Sequence, residues 1–102
     1  MLEFFTSLPS KSDCQQIANA LVKQKLAVCV SFWPVSSVYR WKGKVHKAGE
    51  WILCIKTSGK LGEKAEEKLR KLHPYALPMI IITKVKVDRS VAKWVSDSIT
   101  KG

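Results

Sequence analysis

Residues 35–45 read Val-Ser-Ser-Val-Tyr-Arg-Trp-Lys-Gly-Lys-Val, and this stretch predicts a long β-hairpin. β-Branched and aromatic residues dominate Val35 to Trp41, as is typical of a strand. Lys42-Gly43-Lys44 supplies the glycine of a tight turn, and a return strand follows at Val45 and from Glu50 to Thr57. Two consecutive strands joined by so short a turn belong to an antiparallel sheet.

Two interruptions are predicted inside the strands of this hairpin. The run from Leu26 to Phe32 has a β-type composition, but Trp33-Pro34 follows it, and proline cannot donate a hydrogen bond to a central ladder. We therefore expect a bend or bulge at Trp33-Pro34. The polar and small residues His46-Lys47-Ala48-Gly49 predict an irregular or bulged entry into the return strand.

Upstream of the hairpin, the sequence predicts one strand and one helix. Leu2 to Leu8 combines Leu, Phe and Thr before Pro9, which suits a short strand that ends in a turn. Ser10-Lys11-Ser12-Asp13 supplies side chains that cap a helix, which runs to about Lys25. The apolar face of this helix consists of Cys14, Ile17, Ala18, Leu21 and Val22, spaced at i, i+3, i+4, i+7 and i+8.

Downstream of the hairpin, the sequence predicts a helix, a strand and a further helix. The second helix opens at Ser58-Gly59-Lys60 and ends at His73-Pro74, because the residue before proline is driven out of the helical region. Pro78 to Val87 is the most β-prone segment of the chain. A short third helix follows Asp88-Arg89-Ser90, and its apolar face consists of Val91, Trp94, Val95 and Ile99.

The order of these elements is β-α-β-β-α-β with an additional helix at the C-terminal side. Right-handed crossovers in both β-α-β units place the two main helices on one face of a four-stranded antiparallel sheet. We therefore predict an α+β fold, a ferredoxin-like sandwich with an extended hairpin and a C-terminal helix. At 102 residues the chain matches a single domain, over residues 1–102.

The charge of the chain is strongly basic. Eighteen Lys and Arg against eight Asp and Glu give a formal net charge of +10, which would suit phosphate neutralisation. The lysines are spread over every predicted element, so a solvated surface is the preferred interpretation and nucleic acid is not the expected partner. No leader peptide and no apolar run near ~20 residues is present, so we expect a soluble cytoplasmic protein without a membrane span.

Residues that carry chemistry are few. Cys14, Cys29 and Cys54 are an odd number without CxxC spacing, which argues against a disulfide framework and a structural zinc site. They are buried thiols, or one of them is a soft-metal ligand. The sequence has no Ser/His/Asp set, paired catalytic carboxylates, phosphate-binding glycine loop or HExxH helix, so we predict no enzymatic activity.

The aromatic residues predict self-association. Two helices cover only one face of the sheet, so the other face is solvated or is covered by the third helix or by another chain. Aromatic rings are enriched at protein interfaces, and a projecting hairpin has edges on which a neighbouring strand can pair. One small core does not enclose all of the large rings, which are Trp33, Tyr39, Trp41, Trp51 and Trp94. In the alternative, these rings cap the core of a monomer.

Four separated segments resemble the CutA family of divalent-cation tolerance proteins and cover nearly the whole chain in order. They are Ala18 to Val30, Val38 to Val45, Ile55-Lys56-Thr57, and His73-Pro74-Tyr75-Ala76-Leu77-Pro78. The resemblance implies a ferredoxin-like protomer in a tight homotrimer, in which the long hairpins join adjacent subunits. It also implies an architecture similar to the PII signalling proteins, a role in tolerance of copper and other divalent metals, and copper binding in some members.

The resemblance also bears on the site residues. In a bacterial relative, copper ligation involves a cysteine at the end of the first strand and histidines beside the proline-tyrosine pair. Phe5 and Leu72 occupy two of these positions here, and His73 alone is retained. The family commonly has Glu after the second proline, where this chain has Met79.

The candidate ligands and cleft residues follow from both lines of reasoning. His73 and Cys29 are the candidate metal ligands, because imidazole and thiolate suit copper, although no metal is required for folding. His73 could instead cap the helix or form a hydrogen bond across a subunit boundary. Tyr39, Trp41, Lys56 and Tyr75 are expected to line a cleft between subunits, where Lys56 attracts an anion.

An RNA-binding module with the same element order is the rival class, because the RNA-recognition fold shares this order and the chain is basic. Its signature on the third strand is missing. Glu50-Trp51-Ile52-Leu53-Cys54-Ile55-Lys56 is apolar at the positions where stacking aromatics are expected. A PII-like signalling or scaffold protein is the second alternative.

Overall fold

The computed structural model describes residues 1–99, and its elements follow the predicted order. They are β1 (Leu2–Leu8), α1 (Lys11–Lys23), β2 (Cys29–Trp41), β3 (Lys44–Thr57), a 3₁₀ turn (Gly59–Leu61), α2 (Gly62–Leu72), β4 (Ile80–Lys84) and α3 (Arg89–Ile99). The strands form one antiparallel sheet in the order β2-β3-β1-β4. The predicted ferredoxin-like α+β fold is confirmed, and the predicted domain end at residue 102 lies outside the described residues.

The hairpin turn is tighter than predicted. Trp41 pairs with Lys44, which leaves only Lys42 and Gly43 in the loop. Lys42 has φ 50° and Gly43 has φ 77°. Two consecutive residues with positive φ form a type I′ turn, whose twist matches that of the flanking strands.

The predicted bulge at Trp33-Pro34 is wrong. Strand β2 pairs with β3 without a break, and Pro34 lies opposite Trp51. Because the pair that closes a two-residue turn is hydrogen-bonded and pairs alternate along the ladder, Pro34 falls on a pair without ladder bonds. Its nitrogen therefore faces the free edge of the sheet, where the missing N–H costs no ladder bond.

The predicted irregular entry at residues 46–49 is also wrong, because His46 to Gly49 pair in register with Tyr39 to Ser36. Cross-strand pairing thus overrides the low β-propensity of these small and polar residues.

The boundaries of two strands differ from the prediction as well. Strand β2 begins at Cys29 and not at Leu26, and β4 covers Ile80–Lys84 and not Pro78 to Val87.

Helix α1 begins as its sequence predicts, but its buried face is narrower than predicted, because Val22 is 43% exposed. The Ser10 hydroxyl accepts a hydrogen bond from the backbone N–H of Asp13 at 3.1 Å and donates to the Asp13 carboxylate at 2.7 Å. The buried residues of this helix are Cys14, Ile17 and Leu21, and they join the core with Phe4, Leu8, Ala27, Leu53, Ile55, Ala65 and Leu69. The core therefore lies between the sheet and helices α1 and α2.

The second face of the sheet remains largely open within residues 1–99. Residues at alternate positions of a strand point to opposite faces, so Phe4, Thr6 and Leu8 face the helices and Phe5 faces away. The open face carries Trp33 and Ile81, which are 42% and 52% exposed. This distribution agrees with a sheet that has one buried and one available face.

The hairpin extends well beyond the rest of the sheet. Strand β1 pairs only with residues Trp51 to Thr57 of β3, so the part of the hairpin beyond Glu50 is a two-stranded ribbon. This ribbon gives the molecule its elongated shape of 45 × 24 × 21 Å. Its aromatic rings Tyr39 and Trp41 are each 44% exposed.

Candidate functional site

An open cleft of about 800 Å³ lies where the hairpin ribbon leaves the sheet. One wall comes from the ribbon and the other from the segment between α2 and β4. The residues that line it are Ser7, Ser37, Val38, Tyr39, Arg40, Trp41, Glu50, Tyr75, Ala76, Leu77, Pro78 and Met79. Size, aromatic walls and a few charged groups are properties of small-molecule sites.

Tyr75 and Glu50 join the two walls of the cleft. The Tyr75 hydroxyl donates a hydrogen bond of 2.6 Å to the Glu50 carboxylate. Burial, and then the Glu50 carboxylate, raise the pKa of Tyr75 far above its ordinary value. The hydroxyl therefore remains a hydrogen-bond donor to Glu50 at neutral and mildly alkaline pH.

His73 fixes the start of the segment that carries Tyr75. Its Nδ1 accepts a hydrogen bond from the backbone N–H of Tyr75 at 3.2 Å, and its Nε2 lies 2.9 Å from Thr6 Oγ1. Because Nδ1 accepts, the proton of the neutral ring is on Nε2 and is donated to Thr6. Burial is the main cause that lowers the pKa of His73 below its ordinary value, so the neutral form is favoured.

The aromatic wall of the ribbon is arranged by contacts along the hairpin. The Tyr39 ring stacks on the paired His46 ring, with centroids 5.5 Å apart and an interplanar angle of 16°. Lys42 Nζ lies 5.9 Å from the centroid of the Trp41 ring. These contacts hold both rings beside the turn while leaving part of each surface free to meet a ligand or another chain.

The structure brings together three of the four predicted cleft residues. Tyr39, Trp41 and Tyr75 line the cleft, but Lys56 does not. Lys56 lies six residues from Glu50 along β3, a distance of about 20 Å in an extended strand. The basic group of the cleft is Arg40 instead, so the assignment of Lys56 to the cleft is not supported within one chain.

Sequence reasoning missed several residues of the cleft. Glu50 could have been found from the sequence. It lies two and four residues before Ile52 and Cys54, so it is a charged residue on the same, otherwise apolar, face of the strand. Met79 was noted only as a departure from the family pattern, and it is 70% exposed at the rim. Arg40 gave no signal of its own in a chain with so many basic residues.

The two predicted metal ligands are not brought together. His73 contacts Thr6 on the helix-covered side, whereas Cys29 is in register with Lys56 and Glu3, whose side chains alternate to the open face. Both ring nitrogens of His73 are already hydrogen-bonded. Within residues 1–99, no three or more His, Cys, Asp or Glu side chains form a group that could hold a metal ion.

The three cysteines have different environments, and each is a free thiol. Cys14 is fully buried among apolar side chains of the core, and burial raises its pKa to about 11. It therefore acts as a small hydrophobic residue. Cys54 is 6% exposed, and Cys29 is half-buried at the start of the edge strand β2.

No helix within the described residues is both long and apolar enough to cross a membrane. The fold and the cleft define the chain as a ferredoxin-like α+β protein with an elongated hairpin. The family described as "CutA1 divalent ion tolerance protein" matches residues 2–98. The chain therefore belongs to the CutA family of divalent-cation tolerance proteins.

Individual relatives agree with this assignment. The divalent-cation tolerance protein CutA of Thermus thermophilus is 34% identical over 90% of this chain and 91% of its own length. Protein CutA of Homo sapiens is also 34% identical, over 94% of this chain. This chain spans only 59% of the length of that human protein.

Solved structures agree as well. Crystalline CutA1 from Pyrococcus horikoshii has a TM-score of 0.91 and 27% identity, with 96% of this chain and 97% of that chain covered. The PII-like protein CutA from Nostoc sp. PCC 7120, in its apo form, has a TM-score of 0.90 and 31% identity. That comparison covers 97% of both chains.

Proposed function

We propose that this chain forms a homotrimer that binds a small organic ligand in clefts between its subunits and contributes, without enzymatic activity, to tolerance of copper and other divalent cations. The observation that carries the proposal is the cleft itself. Its aromatic wall, formed by Tyr39 and Trp41, stands on a ribbon that projects away from the body of its own chain. A neighbouring subunit would close its open side.

Exposed apolar surface supports the homotrimer. Trp33 and Ile81 on the open sheet face, and Val38 and Val45 on the ribbon, are all more than 40% exposed in the single chain. Apolar surface of this kind marks association interfaces. The hairpin edges can also pair with strands of adjacent subunits.

The chemistry of the cleft supports an organic ligand that has a planar ring and an anionic group. The rings of Tyr39, Trp41 and Tyr75 offer stacking surfaces, and Arg40 offers a bidentate donor for a carboxylate or phosphate. The described residues that line the cleft include no His and no Cys, which are the preferred ligands of copper. The PII-like name of the Nostoc relative fits ligand binding of a signalling type.

A cytoplasmic location is part of the proposal, because the three thiols are free and cytoplasmic proteins keep their cysteines reduced. The relative from Archaeoglobus fulgidus is described as a periplasmic protein, so the alternative location is the periplasm. Fractionation of cells that produce the protein, with marker enzymes for each compartment, is that measurement. Recovery outside the cytoplasmic fraction would contradict this part of the proposal.

Native mass spectrometry combined with light scattering tests the assembly. We expect a mass three times the 11.5 kDa of one chain. A mass equal to one chain over the micromolar concentration range would overturn the homotrimer and, with it, the closed cleft.

Fluorescence titration with anilinonaphthalene sulfonate, a planar aromatic anion, tests the cleft. We expect Trp41→Ala and Tyr75→Ala each to weaken binding of the probe about two- to tenfold, the loss of one stacked ring. Trp94→Ala is the control, because Trp94 is a 54% exposed ring on α3 that does not line the cleft. Equal losses in all three variants would contradict the assignment of the cleft.

RNA binding remains the rival function, and filter binding to single-stranded RNA at several salt concentrations distinguishes it. A steep salt dependence that an equally basic control protein lacks would favour RNA. We expect only the weak, nonspecific affinity that a net charge of +10 produces.

A further inference from the structure

The end of the cleft nearest the sheet combines a carboxylate with the faces of aromatic rings. Tyr39 and Trp41 lie on one face of the ribbon, and Glu50 shares that face because its partner Val35 alternates to the same side. Tyr75 approaches from the segment between α2 and β4, and its hydroxyl donates a hydrogen bond to Glu50 Oε2 at 2.6 Å. One negative charge therefore stands beside three rings that line the same cleft.

The two tyrosines of this group lie close to each other. Burial, and then Glu50, raise the pKa of Tyr75, and Tyr39 adds a smaller increase. Tyr39 is thus within electrostatic reach of Tyr75, although the two residues stand on opposite walls of the cleft. The His46 ring covers one face of the Tyr39 ring, so the other face of this 44% exposed side chain is available to a ligand.

The charge of Glu50 is not neutralised within the described part of the chain, where its carboxylate forms no ion pair. Arg40, the basic residue that lines the cleft, lies five residues beyond Val35, the partner of Glu50, so the Cα atoms of Arg40 and Glu50 are about 17 Å apart. Tyr75 occupies one acceptor position of the carboxylate, which has about four. This end of the cleft therefore presents a negative charge with acceptor positions still free.

Ring faces and a carboxylate are the groups that bind organic cations. The negative face of an aromatic ring attracts a cation within about 6 Å of its centroid. The same attraction is present beside the cleft, where Lys42 Nζ lies 5.9 Å from the centroid of the Trp41 ring. We propose that the ligand of the cleft carries a methylated ammonium group, which Glu50, Tyr39 and Tyr75 bind at the end nearest the sheet. This inference rests on the proposed function, because it requires the cleft between subunits to be a ligand site.

The lining of the cleft favours a methylated ammonium group over a bare one. A bare ammonium group has three N–H donors, and each of them needs an acceptor. A quaternary ammonium group has none, so its methyl groups can contact rings and apolar side chains without leaving a donor unsatisfied. Apart from Arg40, Glu50 and two serines, the residues that line the cleft are aromatic or apolar. Leu77 and Met79, 71% and 70% exposed, offer such contacts at the rim.

The two charged residues of the cleft then define the class of ligand. Arg40 attracts the anionic group that the cleft already favours, and Glu50 attracts the ammonium group, at a separate position along the ribbon. The expected ligand is therefore a betaine with a planar ring, which carries a methylated ammonium group and an anionic group in one molecule. A carboxylate betaine has no net charge, so the net charge of +10 of the chain neither attracts nor repels it as a whole.

Isothermal titration calorimetry with choline and its neutral isostere 3,3-dimethyl-1-butanol tests the ammonium site in the full chain. The two probes have the same shape, and a carbon atom replaces the charged nitrogen in the second. We expect choline to bind about tenfold more tightly, because only the cation gains from the ring faces and from the carboxylate. Ethanolamine, which has a bare ammonium group, should also bind more weakly than choline. Equal affinity for choline and either comparison compound would overturn the proposal, as would the absence of choline binding.

A charge-removing variant locates the site. Glu50→Gln removes the negative charge but keeps an oxygen that can accept the hydrogen bond of Tyr75. Choline binding should weaken about tenfold, while binding of anilinonaphthalene sulfonate, an anion, should not weaken. Glu63→Gln, the same change on α2 outside the cleft, is the matched control and should leave both affinities unchanged. Unchanged choline affinity in Glu50→Gln, or equal losses in the two variants, would contradict the proposal.

Two substitutions of Tyr39 separate the role of its ring from that of its hydroxyl. Tyr39→Phe keeps the ring face and should keep the choline affinity, whereas Tyr39→Leu removes the ring and should weaken binding about two- to fivefold. Equal affinities in the Leu variant and the wild type would exclude Tyr39 from the site. Far-UV circular dichroism verifies the fold of each variant. The comparison of choline with its isostere uses the wild type alone and decides the matter if a variant does not fold.

The ammonium site and the cleft fail on different results. Anilinonaphthalene sulfonate binding that depends on Trp41 and Tyr75, together with no preference for choline over its isostere, would overturn the ammonium site and leave the cleft intact. Binding of both probes that is unchanged by every substitution in the cleft would overturn the cleft itself.

Discussion

His73 contributes to stability through its neutral form, which gives a pH prediction. In the folded chain, burial is the main effect that lowers the pKa of the His73 imidazole below 6.5, and the charge of Arg70 adds to it. Ser7 and Asp13 act in the opposite direction and raise this pKa, but their effects are smaller. The unfolded chain therefore binds a proton below about pH 6.5 that the folded chain resists. The contribution to the free energy of unfolding is complete above this pH. It is lost as the pH falls toward the folded-state pKa, by about 1.4 kcal/mol for each unit of difference.

Urea unfolding of wild type and His73→Gln at several pH values between 5 and 8 measures this effect. We expect the variant to have a flatter pH dependence between about 6.5 and 5 than the wild type. His46→Gln, which changes the histidine on β3, is the comparison variant. If the slope disappears in the His46 variant and not in the His73 variant, the assignment fails.

The bond between Tyr75 and Glu50 gives a second prediction at this scale. Tyr75→Phe removes the hydroxyl and leaves the Glu50 carboxylate without this donor. A hydrogen bond to a charged group contributes about 1.5–3 kcal/mol, and we expect a loss near about 1.5 kcal/mol because the pair is only partly buried. A double-mutant cycle with Glu50→Gln measures the coupling. The control Tyr39→Phe should cost less than about 0.5 kcal/mol.

Individual residues of the site were only partly predictable from the sequence. Tyr39, Trp41 and Tyr75 were found because aromatic residues on a hairpin and after His-Pro are conspicuous. The environment of His73 could not be predicted from the sequence, because its partner Thr6 is 67 residues away and no local pattern encodes that contact. The neighbourhood of Cys29 and Cys54 depends on strand register, which composition and periodicity do not fix.

At the scale of elements, the hairpin turn allows a prediction with a matched control. Gly43→Ala and Gly49→Ala each place a methyl group where no atom lies within 4 Å, so packing does not distinguish them. Gly43 has φ 77° in the turn, where alanine is strained, whereas Gly49 is an ordinary strand residue. We expect Gly43→Ala to lower the free energy of unfolding by about 1 kcal/mol, and Gly49→Ala to raise it by about 0.5 kcal/mol.

Urea midpoints with equal slopes measure both changes. Lys42→Asn extends the test, because Lys42 also has positive φ and Asn-Gly is the favoured pair of a type I′ turn. This variant should be more stable than the wild type by about 0.5 kcal/mol. Unchanged stability in Gly43→Ala, or a loss of stability in Lys42→Asn, would contradict the assignment of this turn.

The elements themselves were predicted well, and their boundaries less well. Hydrophobic periodicity located α1, α2 and α3, since residues such as Ile17, Leu69 and Val95 are buried where the pattern requires. The two wrong irregularities share one cause, because the local signals at Pro34 and at Gly49 do not report the partner strand. Pairing across a long hairpin tolerates a proline on the outer edge and small residues at its centre.

At the scale of the whole molecule, the open sheet face predicts how assembly can be broken. Ile81→Asp places a charge on this face beside Phe5, its cross-strand partner. Burying an unpaired carboxylate in an interface is costly, so we expect the homotrimer to dissociate or to weaken by tenfold or more in its assembly constant. Sedimentation velocity at several protein concentrations measures the change.

Val22→Asp is the control for this experiment. Val22 is also an exposed β-branched residue, at 43%, but it lies on α1, on the other side of the molecule. We expect this variant to keep the mass of the wild type. Dissociation of both variants would indicate a general loss of stability. Dissociation of Val22→Asp alone would indicate that the subunits associate through the helices and not through the open sheet face.

Pro34 also limits the pairing of a further strand with the free edge of the sheet. Strand β2 exposes one row of backbone groups along 13 residues, which is long enough to accept a foreign strand. The Pro34 nitrogen faces this row near its middle and has no hydrogen to offer. A strand added along the edge would therefore lose a bond at the centre of its ladder. Open-ended growth into fibrils by edge-to-edge stacking is disfavoured as a result, while closed assemblies that use the sheet face and the ribbon are not.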